Sequence, residues 1–365
     1  MSILIFLLVL IVLVMIHEFG HYAAAKMCGM RVEEFAFGFP PKVYSKKIGE
    51  TEYSFNLLPI GGYVKITGES FDPEEREKNK NDKKAFQNKS KLAQLFVLSA
   101  GVIMNLILAA ALFTAVNMGA KYVSTNDSVY SDYIKNPKVF ISSVANNSPA
   151  KTAGLGVNDE ILEFKTKTSS ADMKSASSVV DFVKKNNEAD ITIVFKKEKT
   201  GEIVTSTVRA VYGISNDKKS VGMGVIYGEK VQLNIADSFS KGISETVEYT
   251  KLTVLGMIDI FSKLFSGENV LSSLSGPVGI AKMAGGASDA GWQALFSFMA
   301  LLSINLAVFN ALPLPALDGG RFLFVIYEGI SRRKINLNFQ YYANLIGFLF
   351  LIGLMITVTF FDIFR

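Results

Sequence analysis

Four stretches of this chain are apolar enough, over enough residues, to lie in lipid, and no other feature narrows the possible folds as far. Residues 3–16 carry no polar side chain. Extension through FGHYAAAK reaches the roughly 20 residues that a membrane-crossing helix needs. Residues 92–118 predict a second span, 294–320 a third and 345–361 a fourth. The third belongs to an apolar region that Pro313, Pro315, Gly319 and Gly320 interrupt. Hydrocarbon offers no partner for a backbone N–H or C=O, so each span is expected to be helical. The chain is 49% hydrophobic with a mean hydropathy of +0.29, which suits a membrane protein with a sizeable soluble part. A cleaved signal peptide is disfavoured, because no basic residue precedes Lys26. The net charge of +5 comes without a basic block interleaved with aromatics, so no nucleic-acid partner is expected. The single cysteine, Cys28, excludes an intramolecular disulfide and a thiolate-rich zinc site, and reads as a small packing residue.

Lysine and arginine in the short connections set the orientation. Residues 26–91 hold thirteen of them, and SRRK at 331–334 adds three. Both connections therefore read as cytoplasmic, with the termini and the long segment between spans two and three outside. Within residues 26–91, EEFAFGF, KVYSKK and TEYSFNLLPIGGYVKI alternate apolar and polar around Gly and Pro, which is strand and hairpin texture. Residues 68–91 are dense in charge and read as loop. Residues 123–228 hold short β-rich runs (KVFISSV, DITIVF, IVTSTVRAV) and one turn-plus-helix segment, so a small α/β domain is expected there. Residues 231–290 show a helical period with Val254, Ile258, Phe261 and Phe265 on one face. That stripe suits either the membrane surface or packing on a neighbour.

The chemistry-bearing residues begin inside the first span. HEFGH, residues 17–21, contains both histidines of the chain. On a helix His17 and His21 share a face and can direct two imidazoles at one metal, with Glu18 beside them as a general base. The bland reading is two helix histidines in a satisfied polar network. Ionisable groups at membrane depth are costly and default to function, which favours metal. Catalytic zinc takes three protein ligands and keeps a position open. With no third histidine, the third ligand must be Asp, Glu or Cys28. Asp318, in NALPLPALDGG (310–320), is the acidic residue set in an apolar, proline-broken region. A helix N-cap is its alternative role.

HEFGH in the first span with N-x-x-P-x-P-x-L-D-G-G in a late one resembles the site-2 protease family of intramembrane metalloproteases, of the bacterial regulator-of-sigma-E protease type. LPIGGYVKI (58–66), AFQNKS (85–90) and SGPVGIAK (275–282) are family-like too, so the likeness covers almost the whole chain. NSPAKTAGLGVNDEIL (147–162) is similar to a PDZ signature, and the insert has room for one such domain. The chain departs from the family pattern at GFPP (38–41), at Ala100-Gly101-Val102 and at Asn158, an Asn that still tolerates a left-handed turn.

The resemblance implies a polytopic α-helical membrane protein: four transmembrane helices, a cytoplasmic membrane-re-entrant β-hairpin region and one inserted, extracytoplasmic α/β PDZ-like domain. It implies one Zn²⁺ per chain held by His17, His21 and Asp318, with Glu18 passing the water proton to the leaving amine. Substrates would be single-span membrane proteins, such as anti-sigma factors after a first external cut, and remnant signal peptides. The active site would lie near the cytoplasmic face of a bacterial inner membrane. A helical substrate must unwind and find new backbone partners. The strand through Gly61, Gly62, Tyr63 and Val64 is expected to add an edge to it, and Asn310 to hydrogen-bond it beside the zinc. Pro313 and Pro315 are expected to break the helix and present Asp318 at the substrate-binding end. A metal transporter or sensor is the competing class, and a non-catalytic PDZ scaffold is a third. Glu18 discriminates, since neither alternative needs it.

Overall fold

The computed structural model describes residues 2–119, 121–126, 133–215, 218–267 and 275–364. The chain divides into two compact units, one of residues 1–116 and 236–365 and one of residues 117–235. The first unit runs α1 (Ser2–Met27), β1 (Val32–Ile48), β2 (Thr51–Ile66), α2 (Pro73–Lys78), a 3-10 turn (Phe86–Asn88) and α3 (Lys91–Met118). After the second unit, which holds β3–β11, α4 and α5, it resumes with α6 (Ile235–Phe265), α7 (Pro277–Asp289), α8 (Trp292–Ala311), α9 (Asp318–Ser331) and α10 (Leu337–Phe364).

Among the described residues, four helices are long and apolar enough to cross a membrane: α1, α3, α8 and the Leu337–Asp362 part of α10. Two boundaries differ from the sequence expectation. The third span ends at Ala311, and Asp318 opens a separate helix. Leu312 precedes Pro313 and takes an extended backbone (φ −61°, ψ 144°), as the proline ring demands of its predecessor. The fourth helix starts eight residues early, at Leu337. Asn338, Gln340, Tyr341 and Tyr342 lower the local hydropathy without breaking the helix, and Asn336 accepts from the Asn338 N–H at 2.9 Å as a cap. Residues 68–91, expected as loop, also contain α2. Its start was written in the sequence: Asp72 accepts from the Glu74 N–H, Pro73 takes the first turn and two glutamates follow.

β1 and β2 fold into more than one hairpin. Phe35 pairs with both Val64 and Tyr53, and Ser54 pairs with both Ala36 and Ser45. Residues 32–37 are thus flanked by 62–66 on one side and 51–55 on the other, with 42–48 beyond. Residues 62–66 form the outer edge, with no further strand beside them among the described residues. This edge lies against α1. A Cβ on Gly62 would sit 2.8 Å from Met15 Sδ and 2.7 Å from the Ala36 carbonyl oxygen. Ala24, Ala25, Val32, Ile66, Val97 and Leu98 form the core that joins α1, the sheet and α3.

α6 settles onto its neighbours at several points. A Cβ on Gly242 would lie 2.4 Å from Thr114 Oγ1, the rings of Phe113 and Tyr249 stack at 5.4 Å, and Met257 joins the core of α3 and α8. The stripe of Val254, Ile258 and Phe261 remains exposed. The Phe265 side chain lies outside the described residues.

In the second unit β3 (Lys121–Ser124), β4 (Lys138–Val144), β5 (Glu160–Lys165), β7 (Asp190–Lys196), β8 (Ile203–Arg209) and β11 (Met223–Val231) form one antiparallel sheet in the order β3-β11-β4-β5-β7-β8, with β6 (Ser170–Asp172) on β5. A short pair, β9 (Val211–Ser215) and β10 (Lys218–Ser220), stands apart from it. α5 (Ala176–Lys185) packs Val179, Phe182 and Val183 into the sheet core beside Phe164 and Ile193. In the NSPAKTAGLGVNDEIL segment Ser148 caps α4 (Pro149–Thr152) and Asn158 takes the expected left-handed turn, φ 70°. The buried Asp159 carboxylate accepts from the Gly156 and Glu198 N–H groups and from Lys197 Nζ.

Candidate metal centre

α1 carries His17, Glu18 and His21 on its last turns, and α9 brings Asp318 to them from 297 residues beyond His21. Asp318 Oδ2 lies 3.0 Å from His17 Nε2 and 3.1 Å from His21 Nε2, and the two Nε2 atoms are 3.1 Å apart. Both histidines are buried. Asp318 is the first residue of α9, not its cap. The cap position is Leu317, which offers no side-chain bond, so the carboxylate is free to turn to the histidines.

The turn that delivers Asp318 is tightly built. Ala316 has φ 77°, and its N–H donates to Asn344 Oδ1 of α10 at 3.0 Å. Gly319 rests on the turn's own carbonyls: a Cβ there would lie 2.2 Å from the Leu312 oxygen. The proline-broken run followed by Gly-Gly is therefore one structural device.

α3 forms the back wall. Ala100 and Gly101 let it approach α1 closely, as small residues do at membrane helix contacts. A Cβ on Gly20 would meet the Ala100 oxygen at 2.4 Å, and one on Gly101 would meet His21 Nε2 at 2.4 Å and His17 Nε2 at 2.7 Å. His21 Nδ1–H donates to the Val97 carbonyl at 2.8 Å. That bond consumes the only proton of a neutral imidazole, so His21 Nε2 is a bare lone pair facing a carboxylate and a second ring. Three electron-rich atoms at this spacing suit a cation. Tetrahedral zinc with ligands at about 2.0–2.1 Å holds them roughly 3.3 Å apart. Among the described residues this is the one cluster of three or more His, Cys, Asp or Glu able to hold a metal ion.

Glu18 makes no hydrogen bond or ion pair among the described residues and lines a cavity of about 480 Å³ with the three candidate ligands. Tyr63 and Val64 of the sheet edge line it too. Gly61 and Gly62 do not; they pack toward Phe39, Val14 and Met15. Asn310 is half-buried near the end of α8, outside the cavity lining. Pro315 borders a separate apolar groove with Phe339 and Gly347, and Pro313 is exposed. Cys28 is unpaired and packs against the core near Met30.

Sequence reasoning passed over Asn344 and Arg321, and met Gly101 only as a departure from the family pattern. Arg321 follows Asp318 by one turn, pairs with Glu69 at 2.6 Å and lies over the Phe71 ring at 5.1 Å. Its signal was present in LDGGR, an arginine one turn after the aspartate.

The spanning-length α1 and the short α9 bring two imidazoles and a carboxylate together beside Glu18, an arrangement able to hold a metal ion. Peptidase family M50 matches residues 5–354. A Clostridium perfringens protein named as a zinc metalloprotease is 32% identical, over 96% of this chain and 95% of its own. The regulator of sigma-W protease of Bacillus subtilis is 28% identical, over 99% and 97%. The regulator of sigma E protease of Haemophilus influenzae is 28% identical, over 99% and 98%. The chain belongs to peptidase family M50, and is a zinc metalloendopeptidase of the site-2 protease type.

Proposed function

We propose that the chain cleaves single-span membrane proteins within or beside the bilayer, using Glu18 as the general base at a zinc held by His17, His21 and Asp318. The convergence of these three residues within 3.1 Å, with Glu18 free beside them, carries the reading. Zinc bound there would supply a water of lowered pKa and polarisation of the scissile carbonyl. Glu18 takes the water proton on a carboxylate oxygen, the hydroxide oxygen bonds to the scissile carbonyl carbon, and Glu18 hands the proton to the amide nitrogen as the C–N bond breaks, leaving a carboxylate and an amine. The outer side of residues 62–66, which no further strand covers among the described residues, supplies hydrogen bonds to a substrate unwound from its helix, as an added strand. Tyr63 and Val64, at the cavity, are the part of this edge that meets the segment to be cut, and Gly61 and Gly62 set its depth against α1. Asn310, Pro313 and Pro315 would meet substrate only farther from the metal.

Relatives named for regulation of sigma factors favour anti-sigma factors as substrates, reached after a first cut outside the membrane, with remnant signal peptides as a second group. The lysine-rich connections favour a metal centre near the cytoplasmic face of the inner membrane, with both termini outside. The β1–β2 sheet then dips into the membrane from the cytoplasm. The second unit reads as an external PDZ-like domain that admits substrates already trimmed.

The test compares purified wild type with Glu18→Gln on a single-span substrate, with zinc measured on both. Cleavage by wild type and roughly 10²- to 10⁴-fold less by a mutant that still holds one zinc is expected. Equal cleavage by both would refute the role of Glu18. Zinc-free wild type would refute the centre.

A further inference from the structure

We infer that Asn105 is a positioning residue for His17: its carboxamide oxygen accepts the Nδ1 proton, so that Nε2 reaches zinc as a bare lone pair. The inference rests on the ligand role proposed for His17.

A histidine that ligates through Nε2 carries its proton on Nδ1, and the acceptor of that proton fixes the ring's tautomer and angle. His21 has such an acceptor in the Val97 carbonyl. His17 meets the same helix two turns farther along. There its Nδ1 lies 3.3 Å from the Asn105 carboxamide, the one hydrogen-bonding contact at that nitrogen among the described residues. The amide presents Nδ2 to the ring, while Oδ1 is buried with no hydrogen-bond partner among the described residues. A half-turn of the carboxamide exchanges the two atoms with almost no change of shape. The oxygen then receives Nδ1–H, and the orphaned acceptor is satisfied.

The surroundings hold Asn105 in place for this. It is fully buried, as is Ser303 of α8, whose Oγ donates to the Asn105 carbonyl at 2.7 Å. A buried Asn in a spanning helix commonly ties two helices together. Here the side chain's partner across the interface is the imidazole of a candidate ligand. α3 thereby positions both histidines, His21 through its backbone and His17 through a side chain.

The two histidines are the only ones in the chain, so nitrogen-15 histidine labelling of the full-length, zinc-loaded protein gives two rings to resolve. Zinc affinity is measured alongside by chelator competition. In wild type both rings should show protonated Nδ1 and metal-bound Nε2. Asn105→Leu should weaken zinc roughly 10- to 100-fold and shift the His17 Nδ1 signal alone. Asn105→Asp, whose ionised carboxylate can only accept, should keep wild-type affinity within about threefold and preserve the His17 tautomer. Should Asn105→Leu fail to fold, Asn105→Asp decides. Unchanged affinity in Asn105→Leu, or equal loss in the Leu and Asp variants, would overturn the inference. If His17→Ala binds zinc as wild type does, the ligand reading itself fails, whatever Asn105 does.

Discussion

The close approach of α3 to the two histidines makes Gly101→Ala a severe test of the site. The added methyl would sit 2.4 Å from His21 Nε2, 2.6 Å from His17 Cε1 and 2.7 Å from His17 Nε2. Ordinary contact begins near 3.4 Å, so the His21 ring must retreat by about 1 Å and the His17 ring by nearly as much. Neither has an easy way out. α1 is already pressed on α3 at Gly20, and His21 is tied to the Val97 carbonyl. Displacement of about 1 Å at a reacting centre costs on the order of 100-fold in rate. Overpacking costs about 1–3 kcal/mol of stability, which the remaining contacts should absorb. Purified Gly101→Ala should therefore stay folded but melt below the zinc-loaded wild type, nearer the chelator-treated protein, hold well under one zinc per chain and cleave a single-span substrate at least roughly 100-fold more slowly. Gly256→Ala is the control: a Cβ there meets nothing within 4 Å, and activity should be unchanged. A Gly101→Ala protein with full zinc and wild-type turnover would refute the back-wall geometry.

The turn before Asp318 should be equally intolerant. Ala316→Pro removes the N–H given to Asn344 and cannot reach φ 77°, so zinc content and cleavage should both collapse, whereas Ala316→Gly should retain them; similar zinc content in the two variants would contradict the role of the turn. Chelation of zinc should lower the unfolding temperature of the wild type, by mass action on a ligand held by the folded state, and leave His21→Ala unmoved in the same melting assay. In the second unit the backbone N–H groups of Asn136 and Lys135 hold the Glu229 carboxyl below its ordinary 4.5. A depressed folded pKa gives stability that is present above the unfolded value and lost as pH falls through the folded one. Hydrogen exchange at residues 135–136 should thus quicken, beyond its intrinsic pH trend, as the pH drops below about 4.5, and Glu229→Gln should abolish that excess; an identical pH profile in the variant would contradict it.

The sequence by itself determined the features that depend on neighbours in the chain. Apolar runs of spanning length must be helices because lipid offers the backbone no other partner, and α1, α3 and α8 begin within two residues of where hydropathy placed them. His17 and His21 share a face because four residues nearly complete one helical turn. Asn158 could be read as a left-handed turn because its short side chain tolerates one. Even Asp318 was legible, since an acid in an apolar, proline-broken run needs a partner.

Tertiary structure alone decided the rest, because it depends on which distant surfaces meet. Only packing shows that the Gly101 hydrogen occupies space no methyl could share with two imidazoles, or that Asn105 lies at His17 Nδ1. The period of β1 and β2 announced strands, but not that Phe35 would pair on both sides and leave residues 62–66 as the edge beside Glu18. Only packing shows that Gly61 and Gly62 of GGYVKI lie against Val14 and Met15 of α1 and Ala36 and Phe39 of β1. A pattern repeating every two or four residues specifies which face is apolar. What that face touches is a contact between segments up to 301 residues apart, and no local spacing encodes it.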